Sequence, residues 1–147
     1  MQSEELVESS DILLREISDG GILRLTLDDQ RRRNALSDDM LARLRQALDQ
    51  AASDASVRVI VLAATGPAFC AGHDLKEMTR ARQAQDGGRA FFAETMASCA
   101  GVMQAIVDNP KPVIAEVDGI ATAAGCQLVA SCDLAYASPA ARLATPG

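Results

Sequence analysis

Apolar residues along the chain fall into short runs and longer stripes, and the change of period marks the elements. Residues 11–17 and 22–27 are short apolar runs on either side of Ser18-Asp19-Gly20-Gly21, which predicts two strands joined as a hairpin. From Ser37 the period lengthens: Met40, Leu41, Leu44, Ala47, Leu48 and Ala51 recur at helical spacing, Ser37 can cap, and Asp38 with Asp39 suits the positive helix end. Residues 57–63 are almost continuously apolar, as a strand covered on both faces requires. A second long helix is read from Phe91, Phe92, Thr95, Met96, Cys99, Val102, Met103, Ile106 and Val107, ending before Pro110, with its apolar face in the core. Residues 79–89 are polar, contain Asp86-Gly87-Gly88, and predict a mobile loop beside a pocket. The β-branched run 113–117, fenced by Asn109-Pro110-Lys111-Pro112 and Asp118-Gly119, reads as a buried strand.

Two turns stand out because small residues occupy them. Residues 119–127, Gly-Ile-Ala-Thr-Ala-Ala-Gly-Cys-Gln, sit where the strand should give way to a helix that continues through Leu128, Val129 and Cys132. Small side chains there leave the first N–H groups of the helix bare and able to meet a ligand; close helix–strand packing would ask for the same residues. The second turn, Gly66-Pro67-Ala68-Phe69-Cys70-Ala71-Gly72-His73-Asp74-Leu75, again runs from a strand to a helix start. Asp74 suits a structural role there, as a cap or as a complement to the helix dipole.

These two turns resemble the signatures of the enoyl-CoA hydratase/isomerase (crotonase) superfamily. The matching residues are Phe69-Cys70-Ala71-Gly72-His73-Asp74-Leu75-Lys76 and the stretch from Asp118-Gly119 through Cys132-Asp133-Leu134-Ala135. Arg33-Asn34-Ala35-Leu36-Ser37 also resembles the family's early loop on the coenzyme A side. The resemblance implies an α/β crotonase-like (ClpP/crotonase) fold of repeated ββα units forming a spiral with helices packed outside. It implies an acyl-CoA substrate whose thioester carbonyl is polarised by the backbone N–H groups of His73 and Ala124. It places Arg33, Ala35, Ala71, His73, Asp74, Leu75 and Lys76 along the coenzyme A moiety, and it implies a homotrimer or a dimer of trimers. Coenzyme A enters only as part of the substrate, and no bound cofactor or metal is expected.

One departure from the family pattern bears on the chemistry. The two glutamates that serve hydratases as acid and base fall by motif on Gln127 and Gly147. Neither residue cycles a proton near neutral pH as a carboxylate does. The readings left open are an enoyl-CoA hydratase/isomerase working by enolate stabilisation, an acyl-CoA hydrolase or decarboxylase using the same oxyanion hole, and a non-catalytic acyl-CoA-binding protein. His73 is the only histidine; its ring is either an acid/base or packed while only its N–H matters. Glu77, one turn on, reads as a solvated helix residue or as a neighbour of His73. Glu116 and Asp118 are weaker carboxylate candidates, because Asp118-Gly119 reads as a turn.

Composition narrows the class. At 147 residues and 48% hydrophobic, the chain can bury one core and reads as a single domain over 1–147, incomplete at the C-terminus by comparison with whole crotonase domains. The net charge of −6, one Tyr and no Trp argue against nucleic acid, and the acidic balance against anionic membranes. Arg31-Arg32-Arg33 is the exception: a solvated loop, or a contact with coenzyme A phosphates, with Lys76 as a second candidate. No stretch reads as transmembrane in length, and acidic residues 1–10 do not read as a targeting peptide, which predicts a cytoplasmic protein. Cys70, Cys99, Cys126 and Cys132 form no C-x-x-C pair and predict reduced, buried thiols without zinc.

Overall fold

The structure, a computed structural model, describes residues 11–146; the acidic stretch 1–10 and Gly147 lie outside them. Strand β1 (Leu13–Ile17) and strand β2 (Ile22–Leu27) form the expected hairpin, paired antiparallel from Leu13 opposite Leu27 to Ile17 opposite Leu23. Alternation along β2 buries Leu23, Leu25 and Leu27 completely. Helix α1 (Asp38–Ser53) begins where Ser37 accepts the Met40 N–H at 3.1 Å, and its six predicted apolar positions are all buried. At its other end Lys111 Nζ donates to the carbonyls of Ala51, Asp54 and Val57, each at 2.8 Å, closing groups the helix leaves unpaired.

Past α1 the chain repeats a pattern that gives one strand to each of two sheets. Strands β3 (Val59–Ala64), β5 (Val113–Val117) and β7 (Leu134–Ala137) join the hairpin in a five-stranded sheet ordered β1-β2-β3-β5-β7, parallel from β2 onward. Each is followed by a three-residue strand: β4 (Ala68–Cys70), β6 (Ile120–Thr122) and β8 (Arg142–Ala144), which form a separate parallel sheet in that order. Helices α2 (Leu75–Ala81) and α3 (Arg89–Val107) follow β4, and α4 (Ala124–Ala130) follows β6. This is the crotonase-like α/β spiral that the motifs imply. Its core is one cluster in which β2, β3 and β5 meet α1, α3 and α4.

Five expectations are corrected. Strand β6 lies between β5 and α4: Gly119, at φ +96°, turns the chain so that Ile120–Thr122 can pair with β4, and three residues are too few for a period to reveal. Helix α2 extends through Ala81, so only residues 82–88 connect it to α3, where Asp86 accepts the N–H groups of Gly88 and Ala90. The core face of α3 is narrower than its apolar stripe: Thr95, Cys99, Val102, Met103 and Ile106 are buried, whereas Met96 and Val107 are exposed. By length and composition alone this 19-residue helix could cross a membrane, contrary to the expectation from sequence, although its buried face packs on α1. Finally, only Cys70 and Cys99 are buried; Cys126 and Cys132 are half-buried, and Cys132 lies beyond the end of α4.

Candidate active site

Parallel pairing makes the site. Strands β4 and β6 run side by side in the same direction, with Ala68 opposite Ile120 and Cys70 opposite Ala121, so the turns that leave them emerge at one edge. The first turn passes through Gly72 at φ +93°, and a Cβ added there would lie 3.1 Å from the Thr122 carbonyl oxygen and 3.4 Å from the Ala124 nitrogen. The second passes through Ala123 at φ +54° and ψ −123°, a backbone conformation that costs a non-glycine residue strain. Neighbouring strands hold it there: the Ala123 N–H donates to the Ala144 carbonyl at 2.9 Å, while its own carbonyl accepts from Cys126 and Gln127.

Two backbone donors are left unspent at this edge. Among the described residues, neither the His73 N–H nor the Ala124 N–H has a hydrogen-bond acceptor. The aim of the first is fixed by its own peptide. The Leu36 N–H donates to the Gly72 carbonyl at 2.6 Å, and the carbonyl and N–H of one trans peptide point opposite ways, so the His73 N–H faces away from residues 35–37. The second is the first residue of α4, where helix geometry supplies no acceptor, and Ala124 is itself buried.

The loop before α1 frames the site's other side. Residues 30–32 make one 3-10 turn, and Arg33 and Asn34 both take left-handed conformations at φ +53° and +56°. Asn34, fully buried, organises the bend. Its Oδ1 accepts the Asp29 N–H at 2.7 Å, and its Nδ2 donates to the carbonyls of Thr65 and Ala68, both at 2.9 Å. The Ala71 N–H donates to the Arg33 carbonyl at 3.1 Å, which ties this loop to the Gly72 turn. Asn34 could have been singled out in the sequence as a residue that tolerates positive φ, but its distant partners Thr65 and Ala68 could not.

Between loop and turn lies a cleft of about 240 Å3 lined by Arg31, Arg32, Arg33, Ala35, Ala71, His73, Asp74, Leu75 and Lys76. Every residue that the resemblance assigns to coenzyme A lines it, with four basic side chains on its walls. A larger cleft of about 450 Å3 is lined by Asp11, Asp28, Asp29, Asp39 and Glu77 together with Arg31 and Arg32, so carboxylates outnumber cations there and it suits an anionic ligand less well than the basic cleft does. Asp74 caps α2 as expected, accepting the N–H groups of Lys76 at 2.9 Å and Glu77 at 3.3 Å. The three arginines are not equivalent: Arg32 is held by Asp29 and Asp74, whereas Arg31 and Arg33 make no ion pair among the described residues.

The other titratable candidates fall into different places. Glu77 is half-buried and accepts the Asp38 N–H at 3.2 Å, and partial burial raises its carboxyl from the ordinary value, reinforced by the Asp38 and Asp74 charges. Glu116 pairs with Arg24 at 2.6 Å on the surface, and Asp118 accepts the Ser138 hydroxyl, so both leave the site. Gln127 is exposed on α4, and Gly147 lies outside the described residues. His73 buries Nδ1 without a partner, and burial pushes its imidazole below its ordinary value of 6.5 against the opposing pull of Asp38.

That depression has a consequence for stability. As pH falls below the ordinary histidine value, the unfolded chain binds its proton before the folded one does. The contribution of His73 is therefore complete above that value and is lost as pH falls through the depressed one. His73→Gln should flatten the decline in urea midpoint between about pH 7 and about pH 5 relative to the parent. An undiminished decline in the variant would show that other groups cause it.

The enoyl-CoA hydratase/isomerase family model matches residues 17–147. The mouse protein "Enoyl-CoA hydratase domain-containing protein 3, mitochondrial" is 49% identical over 127 residues, covering 86% of this chain and 41% of its own length. Among solved structures, an enoyl-CoA hydratase from Mycobacterium smegmatis superposes with a TM-score of 0.81 at 50% identity, covering 90% of this chain and 50% of that one. The human enoyl Coenzyme A hydratase domain-containing protein 3 gives 0.84 at 42% identity, covering 93% and 52%. The chain thus spans about half the length of the relatives it matches. Relatives from mouse, rat, zebrafish and human are all named mitochondrial, and this overturns the expectation of a cytoplasmic protein, which rested on residues 1–10 and on composition.

Proposed function

Because the chain belongs to the enoyl-CoA hydratase/isomerase family, we propose that it carries the carbonyl-polarising site of an acyl-CoA-processing enzyme, with the thioester oxygen held between the N–H groups of His73 and Ala124. The observation that carries this reading is the pair of unspent donors brought to one edge, the Gly72 and Ala124 backbones in near contact. A thioester oxygen gains negative charge as an enolate forms, so fixed donors aimed at it stabilise the transition state more than the ground state. Being backbone groups, they need no reorganisation when the charge appears. The coenzyme A moiety lies along the basic cleft, its phosphates near Arg33 and Lys76 and the rest of it passing Ala35, Ala71, Asp74 and Leu75.

The proton-handling step is the part of the reaction these residues do not supply in hydratase form. Gln127 can orient water or bind substrate through its amide, but it does not exchange a proton as a carboxylate does. Enoyl-CoA hydration or isomerisation within acyl-CoA and fatty-acid metabolism, by a trimer or a dimer of trimers, is the first reading. An amide at Gln127 in place of a carboxylate favours a second: a hydrolase or decarboxylase using the same donors, or an acyl-CoA-binding protein without turnover.

The deciding experiment offers crotonyl-CoA and longer enoyl-CoA esters to the full-length protein, following loss of the conjugated-thioester absorbance and the mass of the product. Hydrated or isomerised product supports the first reading. Saturable binding with no product, or a different product, selects the second, and failure to bind any acyl-CoA ester ends both.

A further inference from the structure

Three consecutive arginines line the basic cleft, yet among the described residues only Arg32 makes an ion pair. Arg32 Nη1 lies 3.3 Å from Asp29 Oδ2, and Arg32 Nε lies 3.3 Å from Asp74 Oδ2. Both carboxylates are about nine-tenths buried or more, at 7% residue exposure each. Asp29 belongs to the bend that Asn34 organises, and Asp74 immediately follows His73. We propose that Arg32 is a positioning residue for the His73 N–H, its guanidinium locking the Asp29 bend to Asp74 and so fixing the peptide that presents the donor. This rests on the reading of His73 as a carbonyl-polarising donor.

The lock works from both ends of one short segment. On one side, Leu36 holds the Gly72 carbonyl, which belongs to the same peptide as the His73 N–H. On the other, Asp74 is committed at both oxygens, Oδ1 to the start of α2 and Oδ2 to Arg32. A planar fork with donors at fixed angles constrains two carboxylates together in a way a single ammonium does not. Without it the Asp29 and Asp74 carboxylates would repel each other with no cation between them, and the Asp29 bend and the segment carrying His73 would no longer be held together. Arg31 and Arg33, unpaired among the described residues, remain the ones available to anionic substrate groups. Arg32 thus acts on the oxygen through the backbone and not on the phosphates.

A chromophoric ester separates these roles, because the absorbance of a bound 2,4-dienoyl-CoA moves to longer wavelength when its carbonyl is polarised. The full-length protein should bind the ester and shift it. Arg32→Met should bind within about three-fold of the parent but lose most of the shift, the pattern of lost polarisation with retained uniform binding. Arg32→Lys should give an intermediate shift. Arg33→Met should weaken binding about ten-fold and leave the shift of the bound ester unchanged. A full shift in Arg32→Met, or a loss of affinity matching Arg33→Met with the shift intact, overturns the proposal. Should Arg32→Met fail to fold, Asp29→Asn loosens the same lock from its far side and must reduce the shift. A parent protein that binds the ester without any shift sinks the underlying reading of His73, and a parent that does not bind it sinks the acyl-CoA assignment; the two failures are distinct.

Discussion

If the Ala124 N–H polarises the thioester as proposed, Gly125→Ala is expected to lower acyl-CoA turnover by about 10²–10³-fold, the loss that follows removal of one oxyanion donor. A Cβ at position 125 would run into the Cys70 carbonyl oxygen and come within 2.8 Å of its carbon and 2.9 Å of the Cys70 Cβ. These are backbone atoms of β4 and the fully buried side chain that follows from it, so nothing flexible can give way. Helix α4 must lift from the end of β4. The Ala124 N–H, one residue earlier, then leaves the position it shares with the Gly72 turn. Binding of the ester should suffer less than kcat, because the donor matters most when charge develops. Gly87 is the control: it too has positive φ, at +69°, but an added Cβ meets nothing within 4 Å. Gly87→Ala should cost about 1–2 kcal/mol of backbone strain at most and leave kcat unchanged. Steady-state kinetics of the two variants side by side test this, and a Gly125→Ala enzyme within two-fold of the parent, by the same about-ten-fold-per-1.4 kcal/mol scale, would remove Ala124 from the mechanism.

Asn34→Ala should destabilise the fold by about 3 kcal/mol or more, since each buried polar group stripped of its partner costs about 1–3 kcal/mol. Three such groups are stripped: the Asp29 N–H and the carbonyls of Thr65 and Ala68. Alanine also tolerates the left-handed conformation at φ +56° less well than asparagine does. The urea midpoint should fall with an unchanged slope. Asn34→Asp divides the effect: it keeps the acceptor for Asp29, loses both donated bonds, and places a buried charge where an amide was. Asn34→Gly strips the same three groups but avoids the strain at φ +56°, so its difference from Asn34→Ala isolates the backbone part. If Asn34→Ala and Asn34→Gly lose equal and small amounts of stability, the bend is held by its backbone bonds and the side chain is incidental.

Much of this was local and therefore legible. The Ser37 cap, the apolar stripe of α1, the hairpin turn and the Asp74 cap each depend on residues within one or two turns of chain, where period and capping chemistry suffice. The motifs around Gly72 and Gly119 were also readable, because a run of small residues at a strand end is what a close approach of backbone to backbone or to a ligand demands. What escaped were contacts between distant segments. Strand β6 was hidden because three residues carry no period, and the exposed side of α3 because nothing in its apolar stripe says which neighbours will cover it. Arg31-Arg32-Arg33 reads as three equal cations until Asp29 and Asp74 are seen to claim the middle one.

By itself, then, the sequence determined the elements, the family and the residue types available at the two turns, since those follow from short-range sterics and hydrogen-bonding capacity. Only the tertiary structure decided that the two turns meet. That depends on the parallel register of β4 against β6, on the Leu36–Gly72 bond, and on strain held at Ala123 by Ala144, interactions that join residues far apart along the chain. A backbone N–H is present at every non-proline residue; what distinguishes those of His73 and Ala124 is that, among the described residues, neither finds an acceptor and both lie where the two turns meet.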